Sequence, residues 1–182
     1  MAGSALLAAV ALAPVPALAQ PQTDTATART QVAILAPGSV LKTADMDFGS
    51  IAQSNTAGTV VLSAANAATC TVTGGLIRSG TCRAARFDIR GKKNNRVRIM
   101  DINGAAVTLN GPGGATMQMT NLSFATSGMT AVNGANGWNF GNWRIDNPGG
   151  ITQFWIGGTL HVGAAQPAGV YNGTLQIQIQ FN

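Results

Sequence analysis

The last stretch of the chain decides the fold class: residues 175–181 read Leu-Gln-Ile-Gln-Ile-Gln-Phe. Apolar residues alternate with glutamines at every second position, and successive side chains of an extended strand point to opposite faces of its sheet. The apolar side chains therefore share one face and the glutamines share the other. This pattern predicts a β-strand with one buried face and one solvated face.

The same period of two recurs along the chain. It is clearest at residues 85–90, 96–99 and 154–162. Within residues 117–124 the apolar positions change phase by one residue after Met119, which predicts a β-bulge. Clusters rich in Gly, Asn and Pro, such as residues 110–114, separate these segments and predict turns. Short strands at such intervals predict an all-β protein, a β-sandwich.

Composition excludes several classes of protein. Only 9% of the 182 residues are charged, and the six acidic residues are all Asp, against about 25% charged residues in an average soluble domain. Glu and Lys fill the solvent faces of helices, so their scarcity argues against a large helical content. A hydrophobic fraction of 46% with a net charge of +5 argues against disorder. With one His and no Glu, an enzyme is not expected.

The N-terminus has the pattern of an export signal. An apolar run at residues 6–13 ends at prolines and is followed by Ala17-Leu18-Ala19, a small-x-small cleavage site; a buried apolar segment is the alternative reading. The run is too short to span a bilayer, and we expect no transmembrane segment. The expected organisation is a signal peptide at residues 1–19, an N-terminal extension at 20–37 and a β-sandwich domain at 38–182. Export would place the protein in the periplasm, and then at the cell surface or in an extracellular fibre.

The two cysteines, Cys70 and Cys82, stand twelve residues apart. In an exported protein this pair predicts one disulfide bond. Turn residues at Gly74-Gly75 and Ser79-Gly80 predict a hairpin that brings the two cysteines face to face. The spacing excludes a redox CxxC motif, and partner ligands for a metal are lacking. We therefore expect a structural bridge.

Eight of the eleven cationic residues fall within residues 78–98, where Asp88 is the one acidic residue. On adjacent strands they would form one positive stripe able to attract lipopolysaccharide, anionic polysaccharide or extracellular DNA. The alternative is a strand face kept soluble by its charge. The candidate binding residues are Arg83, Arg86, Arg90, Lys92, Lys93, Arg96 and Arg98.

Other residues capable of chemistry form no catalytic constellation. His161 stands alone on the wet face of a strand. Asp45 and Asp47 fit a solvated turn better than a calcium site, because Ca²⁺ takes about six to eight oxygen ligands. Three tryptophans could line a sugar site or pack within the sandwich: Trp138, Trp143 and Trp155. We expect no catalytic residue, no bound metal and no cofactor.

Several motifs together carry a resemblance. They are Lys42–Ile51 (KTADMDFGSI), Thr71–Gly75 (TVTGG), Gly157–Leu160 (GGTL) and Gln166–Leu175 (QPAGVYNGTL). They resemble a family of secreted bacterial domains of unknown function with a DLDFG start and a PAGxYxGT end. That family is similar to spore coat protein U and to the archaic chaperone–usher pilins, which carry a similar DLxFG segment and a C-terminal strand. The resemblance covers roughly residues 26–182.

The resemblance implies an immunoglobulin-like β-sandwich that lacks its last strand. A periplasmic chaperone, and later the N-terminal extension of the next subunit, supplies that strand. In this chain an alternating row precedes Pro37-Gly38 and is the candidate donor strand: Ala26, Ala28, Thr30, Val32 and Ile34. The alternative is an ordinary first strand that pairs within its own sheet.

Two functions follow as expectations. The first is a pilin-like fimbrial subunit of a bacterial surface fibre, assembled by donor-strand exchange and used in adhesion or biofilm formation. Its partners would be copies of itself, a periplasmic chaperone and an outer-membrane usher, and no specific nucleic acid is expected. The alternative is a monomeric secreted β-sandwich that binds anionic polysaccharide or other surface glycans.

Overall fold

A computed structural model describes residues 38–104, 106–133 and 139–182. The described residues form thirteen strands and one short 3₁₀ helix, Pro112–Gly114. The strands are β1 (Ser39–Ala44), β2 (Ser50–Ile51), β3 (Gly58–Leu62), β4 (Cys70–Val72), β5 (Arg78–Ser79), β6 (Ala85–Arg90), β7 (Arg96–Asp101), β8 (Ala106–Asn110), β9 (Thr116–Ser127), β10 (Met129–Asn133), β11 (Asn139–Ile145), β12 (Ile151–Val162) and β13 (Ile177–Phe181). The predicted signal peptide and the candidate donor strand lie outside the described residues.

The larger of two antiparallel sheets is built around β12. Residues 151–156 of β12 pair with β6, residues 158–162 pair with β3, and β9 runs along the opposite edge. Beyond these, β1 pairs with β6, β4 with β3 and β8 with β9. Five of the even-numbered residues of β12 are apolar or glycine and buried, so this strand supplies the centre of the core.

The smaller sheet has the order β10-β11-β7-β13, and β2 and β5 form a separate two-stranded ribbon. The alternation at the C-terminus has the predicted outcome: Ile177, Ile179 and Phe181 are half-buried, whereas Gln178 and Gln180 are exposed. β13 lies at the edge of this sheet, where β7 is its one partner among the described residues. The expectation of an all-β sandwich is confirmed.

The main core lies between the two sheets. Its buried residues are Ala85, Ile89, Val97, Ile99, Met129, Phe140, Ile145, Phe154 and Ile156. Phe154 stacks on Phe87 with ring centroids 4.8 Å apart, and Phe124 stacks on Phe140 at 5.1 Å. A second buried cluster lies against the other half of the larger sheet, and its members are Phe48, Val60, Leu62, Leu76, Val107, Met119, Leu160 and Val162.

The predicted β-bulge in β9 is confirmed. Gly157 of β12 lies opposite Ser123, but Thr159 lies opposite Thr120, so three steps along β9 match two steps along β12. Asn121 takes up the extra residue with a φ of 50°, a left-handed conformation that Asn adopts more readily than most residues. The bulge lets Met119 and Leu122 both pack against the second core cluster.

The disulfide bond between Cys70 and Cys82 is confirmed, but the predicted hairpin between the two cysteines is wrong. Cys70 lies in β4, which pairs with β3, and Cys82 follows β5, which pairs with β2. Each of the two strands finds its partner elsewhere in the chain. The bond therefore ties the larger sheet to the β2–β5 ribbon, and both cysteines pack against the second core cluster.

Candidate functional site

Two of the motifs that carried the family resemblance border one groove. Residues 45–53 and residues 166–175 line a groove with a volume of about 860 Å³. Its remaining lining comes from Lys42 and from side chains of the larger sheet, namely Ala85, Phe87, Val107, Leu109, Met117, Met119, Leu160 and Val162. The groove thus has an apolar floor made by one sheet and walls made by two irregular segments.

The first wall, residues 45–53, is fixed by the Asp-Phe-Gly sequence. The backbone of Asp47 pairs with that of Arg83 through two hydrogen bonds of 2.8 and 3.0 Å, and the Asp47 carboxylate accepts the N–H of Gly49 at 2.8 Å. Phe48 is buried in the second core cluster. Gly49 has a φ of +74°, and a Cβ there would lie 2.5 Å from the Ser79 carbonyl oxygen. The motif therefore fixes the backbone of this wall against residues 79–83, and Asp47 acts as a turn residue, as the sequence predicted.

The second wall, residues 166–175, is organised around Tyr171. Its hydroxyl donates to the Pro167 carbonyl at 2.8 Å and accepts from Nε2 of Gln166 at 2.9 Å. A Tyr that bonds to the backbone a few residues upstream, just before a late strand, resembles the tyrosine corner of immunoglobulin-type sandwiches. The ring packs so closely on Gly111 that a Cβ there would lie 2.3 Å from the Tyr171 Cε1 atom.

The end of this wall is held by Asn103. Its side-chain amide donates to the Thr174 carbonyl at 2.9 Å and its oxygen accepts the N–H of Gln176 at 2.5 Å. The backbone N–H of Asn103 in turn donates to the carboxylate of Asp101 at 2.9 Å. These bonds connect the end of β7 to the segment that leads into β13.

Asp101 is a buried carboxyl group beside this junction. It is 0% exposed, and its Oδ2 atom has no hydrogen-bond partner among the described residues. Burial raises the pKa of Asp101 above its usual value, and the hydrogen bond from Asn103 opposes that rise. Since the folded state holds the proton more tightly than the unfolded state, stability falls as the pH rises from 3.8 toward the folded pKa.

Replacing Asp101 with Asn is therefore expected to stabilise the protein at pH 7, by on the order of 1 kcal/mol, because an amide carries no charge to bury. The gain should shrink toward pH 3, where the carboxyl is neutral in both states. Urea unfolding at the two pH values measures the difference. Asp45→Asn, at an exposed carboxylate, is the control and should change stability by less than about 0.5 kcal/mol. A gain that is equal at both pH values would contradict the explanation by charge burial.

The floor of the groove consists mainly of apolar side chains. Met117, Met119 and Leu109 are thioether and hydrocarbon surfaces, and methionine adapts its shape to what packs on it. Lys42 and Asp45 form an ion pair at the border of the groove. These floor residues cannot be identified as a site from the sequence, because alternation predicts a strand but does not reveal which of its faces borders a groove.

The remaining candidates take structural positions. His161 is exposed, and its Nε2 atom lies 2.7 Å from the Thr120 hydroxyl. Trp143 donates to the Phe140 carbonyl at 2.7 Å and contacts the Phe124 ring. Trp155 is buried, and Trp138 lies outside the described residues. Within the described ranges no three His, Cys, Asp or Glu side chains come together.

The structure divides the candidate cations between the two sheets. β6 carries Arg86 and Arg90 in the larger sheet, whereas β7 carries Arg96 and Arg98 in the smaller sheet. The chain crosses between sheets at residues 91–95, so the two pairs of arginines do not share a face. Lys92 and Lys93 are exposed in that crossing.

Two more arginines bond to the backbone of the first wall. Arg78 donates to the Phe48 carbonyl at 2.6 Å, and Arg83 donates to the Asp45 carbonyl at 3.2 Å.

No curated protein and no solved structure matches this chain. A family model described as "Domain of unknown function (DUF4402)" matches residues 39–181, from the first strand to the last. The chain therefore belongs to the DUF4402 family.

Proposed function

We propose that this chain is a pilin-like structural subunit of a bacterial surface fibre, assembled by donor-strand exchange. It would be exported to the periplasm, held there by a chaperone, and passed through an outer-membrane usher to join copies of itself. The observation that carries the proposal is the groove, with its apolar floor and a second wall that leads into the edge strand β13.

The backbone beside the groove offers a place for an added strand. β13 pairs with β7 and lies at the end of its sheet among the described residues. Edge strands present unpaired N–H and C=O groups that readily bond to another strand. A donated strand would give β13 a second partner and extend the smaller sheet.

The inward-facing side chains of residues 175–181 need cover as well. Leu175, Ile177, Ile179 and Phe181 point toward the cores but remain half-exposed. A strand that alternates apolar and polar residues would place every second side chain against them. An incomplete sandwich has this property, because the missing strand leaves its neighbours covered on one side only.

The candidate donor has a suitable length and pattern. Residues 26–34 would span about 27 Å when extended, and the row from Leu175 to Phe181 spans about 20 Å. Burying Val32 and Ile34 would contribute roughly 1.5–3 kcal/mol each, whereas Ala26 and Ala28 would contribute little. Two large side chains therefore provide most of the apolar stabilisation.

The test has two parts. Material sheared from cells should give a ladder of oligomers on gels of unboiled samples, because donated strands persist in detergent. A chain that begins at Gly38 should fold when a peptide of residues 25–35 is added in trans, and the peptide should protect β13 from hydrogen exchange. A monomer that persists at high concentration with residues 26–34 protected from exchange would contradict the proposal, since these residues would then pair within their own chain.

A further inference from the structure

The outer face of the smaller sheet is a second surface, independent of the groove and of the proposed function. We propose that this face binds a polysaccharide that bears carboxylate groups. The face consists of Arg96, Arg98, Asn142, Arg144, Gln178 and Gln180, which we call the arginine face.

The strand register places these side chains in rows. Arg98 of β7 has Asn142 of β11 on one side and Gln180 of β13 on the other. Arg96 lies beside Arg144, and Gln178 lies beside Met100. Neighbouring strands are about 4.8 Å apart and successive outward residues about 7 Å apart. Guanidinium and amide groups therefore cover a continuous area across three strands.

The positive charge of this face is largely uncompensated. Arg96 and Arg98 are exposed and form no ion pair with any described residue. Arg144 is bonded to Asp146 at 3.0 Å, and the hydrogen bond from Thr130, together with that from Arg144, lowers the pKa of Asp146. Lys93 is close enough to Asp146 to lower that pKa further, so the crossing with Lys92 and Lys93 adds cations at the same end of the sheet.

The mixture of groups identifies the class of partner. A guanidinium group donates two parallel hydrogen bonds to a carboxylate. Asn and Gln both donate and accept, which matches sugar hydroxyls. A polymer of phosphate alone offers only acceptors, so it could accept from the guanidinium and amide N–H groups but would leave the amide oxygens without a donor. Arginines interleaved with amides therefore fit a chain of uronic acid sugars, in which carboxylates and hydroxyls alternate.

The arginine face and the groove use opposite sides of the same strand. Gln178 and Gln180 point away from the core, whereas Ile177 and Ile179 point toward it. A donated strand paired with β13 would leave the arginine face uncovered. Binding to the arginine face and strand exchange can therefore be measured separately.

The test uses the full chain and polygalacturonate as the probe. Arg96→Ser with Arg98→Ser should weaken binding at least about tenfold, because charged hydrogen bonds are lost. The same variant should reduce the slope of log affinity against log salt concentration by about 2. The control, Arg83→Ser with Arg90→Ser, removes the same charge away from the arginine face and should change affinity less than about threefold. Circular dichroism and the thermal midpoint verify that both variants fold.

The second variant tests the amides. Gln178→Ala with Gln180→Ala keeps every charge and should weaken binding to polygalacturonate more than binding to polyphosphate, which has no hydroxyl to donate to the amide oxygens. Equal losses in the two arginine variants, or equal affinity for polyphosphate, DNA and polygalacturonate, would overturn the proposal in favour of attraction by net charge. Loss of polygalacturonate binding in the folded Arg96/Arg98 variant supports the binding proposal whether or not the parent chain forms an oligomer ladder.

Discussion

Replacing Ile34 with Asp is expected to abolish assembly of the full-length chain. In the proposed fibre Ile34 is the larger of the two branched apolar side chains that the donor strand inserts beside β13. A carboxylate at that position would be buried without a partner, which costs several kcal/mol. The oligomer ladder should disappear, and the exported monomer should remain.

The same loss is expected from the acceptor side. Met117 is half-buried and lines the groove, so Met117→Asp places a charge where the donated side chains would pack. Met100→Asp is the matched control, because Met100 is also a half-buried methionine but lies on the outer side of the smaller sheet, between Gln178 and Asn139 in register. The control should form the normal ladder.

Mixing the two blocked chains gives a sharper result. An Ile34→Asp chain keeps an unaltered groove, and a Met117→Asp chain keeps an unaltered donor strand. In a mixture the donor strand of the second can enter the groove of the first, so dimers should form that neither chain forms alone. Normal ladders from both single variants would contradict donor-strand exchange through this groove. If Met117→Asp fails to fold, its β-sheet circular dichroism signal is lost. The Ile34→Asp chain then still tests assembly, because its groove is unchanged.

Removing the disulfide bond is the second change with a large expected effect. Cys70→Ser with Cys82→Ser should cost about 3 kcal/mol in the chain-entropy model for a loop of this length. For a domain of this size that is a fall of roughly 6–12 °C in the thermal midpoint. The bond connects β4, at one edge of the larger sheet, to the segment after β5, so hydrogen exchange should increase first in β4 and in the β2–β5 ribbon.

The measurement is thermal unfolding of the double variant beside the oxidised and the reduced parent. Reduction of the parent should reproduce the fall, since it breaks the same bond without changing the sequence. Intact mass after alkylation should show no free thiol in protein collected from the periplasm. Two free thiols there, or an unchanged midpoint in the double variant, would contradict a stabilising bridge.

The sequence by itself determined the all-β class and most of the strands. Alternation in residues 154–162 and 175–181 reports which side chains face a core, because the side-chain period of a strand is two regardless of what lies beside it. The phase change after Met119 predicted the bulge at Asn121, because a strand changes phase only where it contains an extra residue. The two cysteines, in a chain expected to be exported, predicted the disulfide bond.

Tertiary structure alone decided which strands are neighbours. Alternation contains no information about partners, so β6 and β7, adjacent in sequence and both rich in arginine, could be read as one stripe although they belong to different sheets. The hairpin predicted between Cys70 and Cys82 was wrong for the same reason. Each strand pairs where its apolar face and its hydrogen bonds are both satisfied, and that depends on the whole chain.

The groove shows this division most clearly. The motifs at residues 45–53 and 166–175 could be recognised in the sequence, and their glycines and Tyr171 mark tight local packing. That the two segments, more than 100 residues apart, border one apolar surface follows from the path of the chain through two sheets. A local pattern specifies the conformation of each segment, whereas a site shared by distant segments exists only once long-range packing has brought them together.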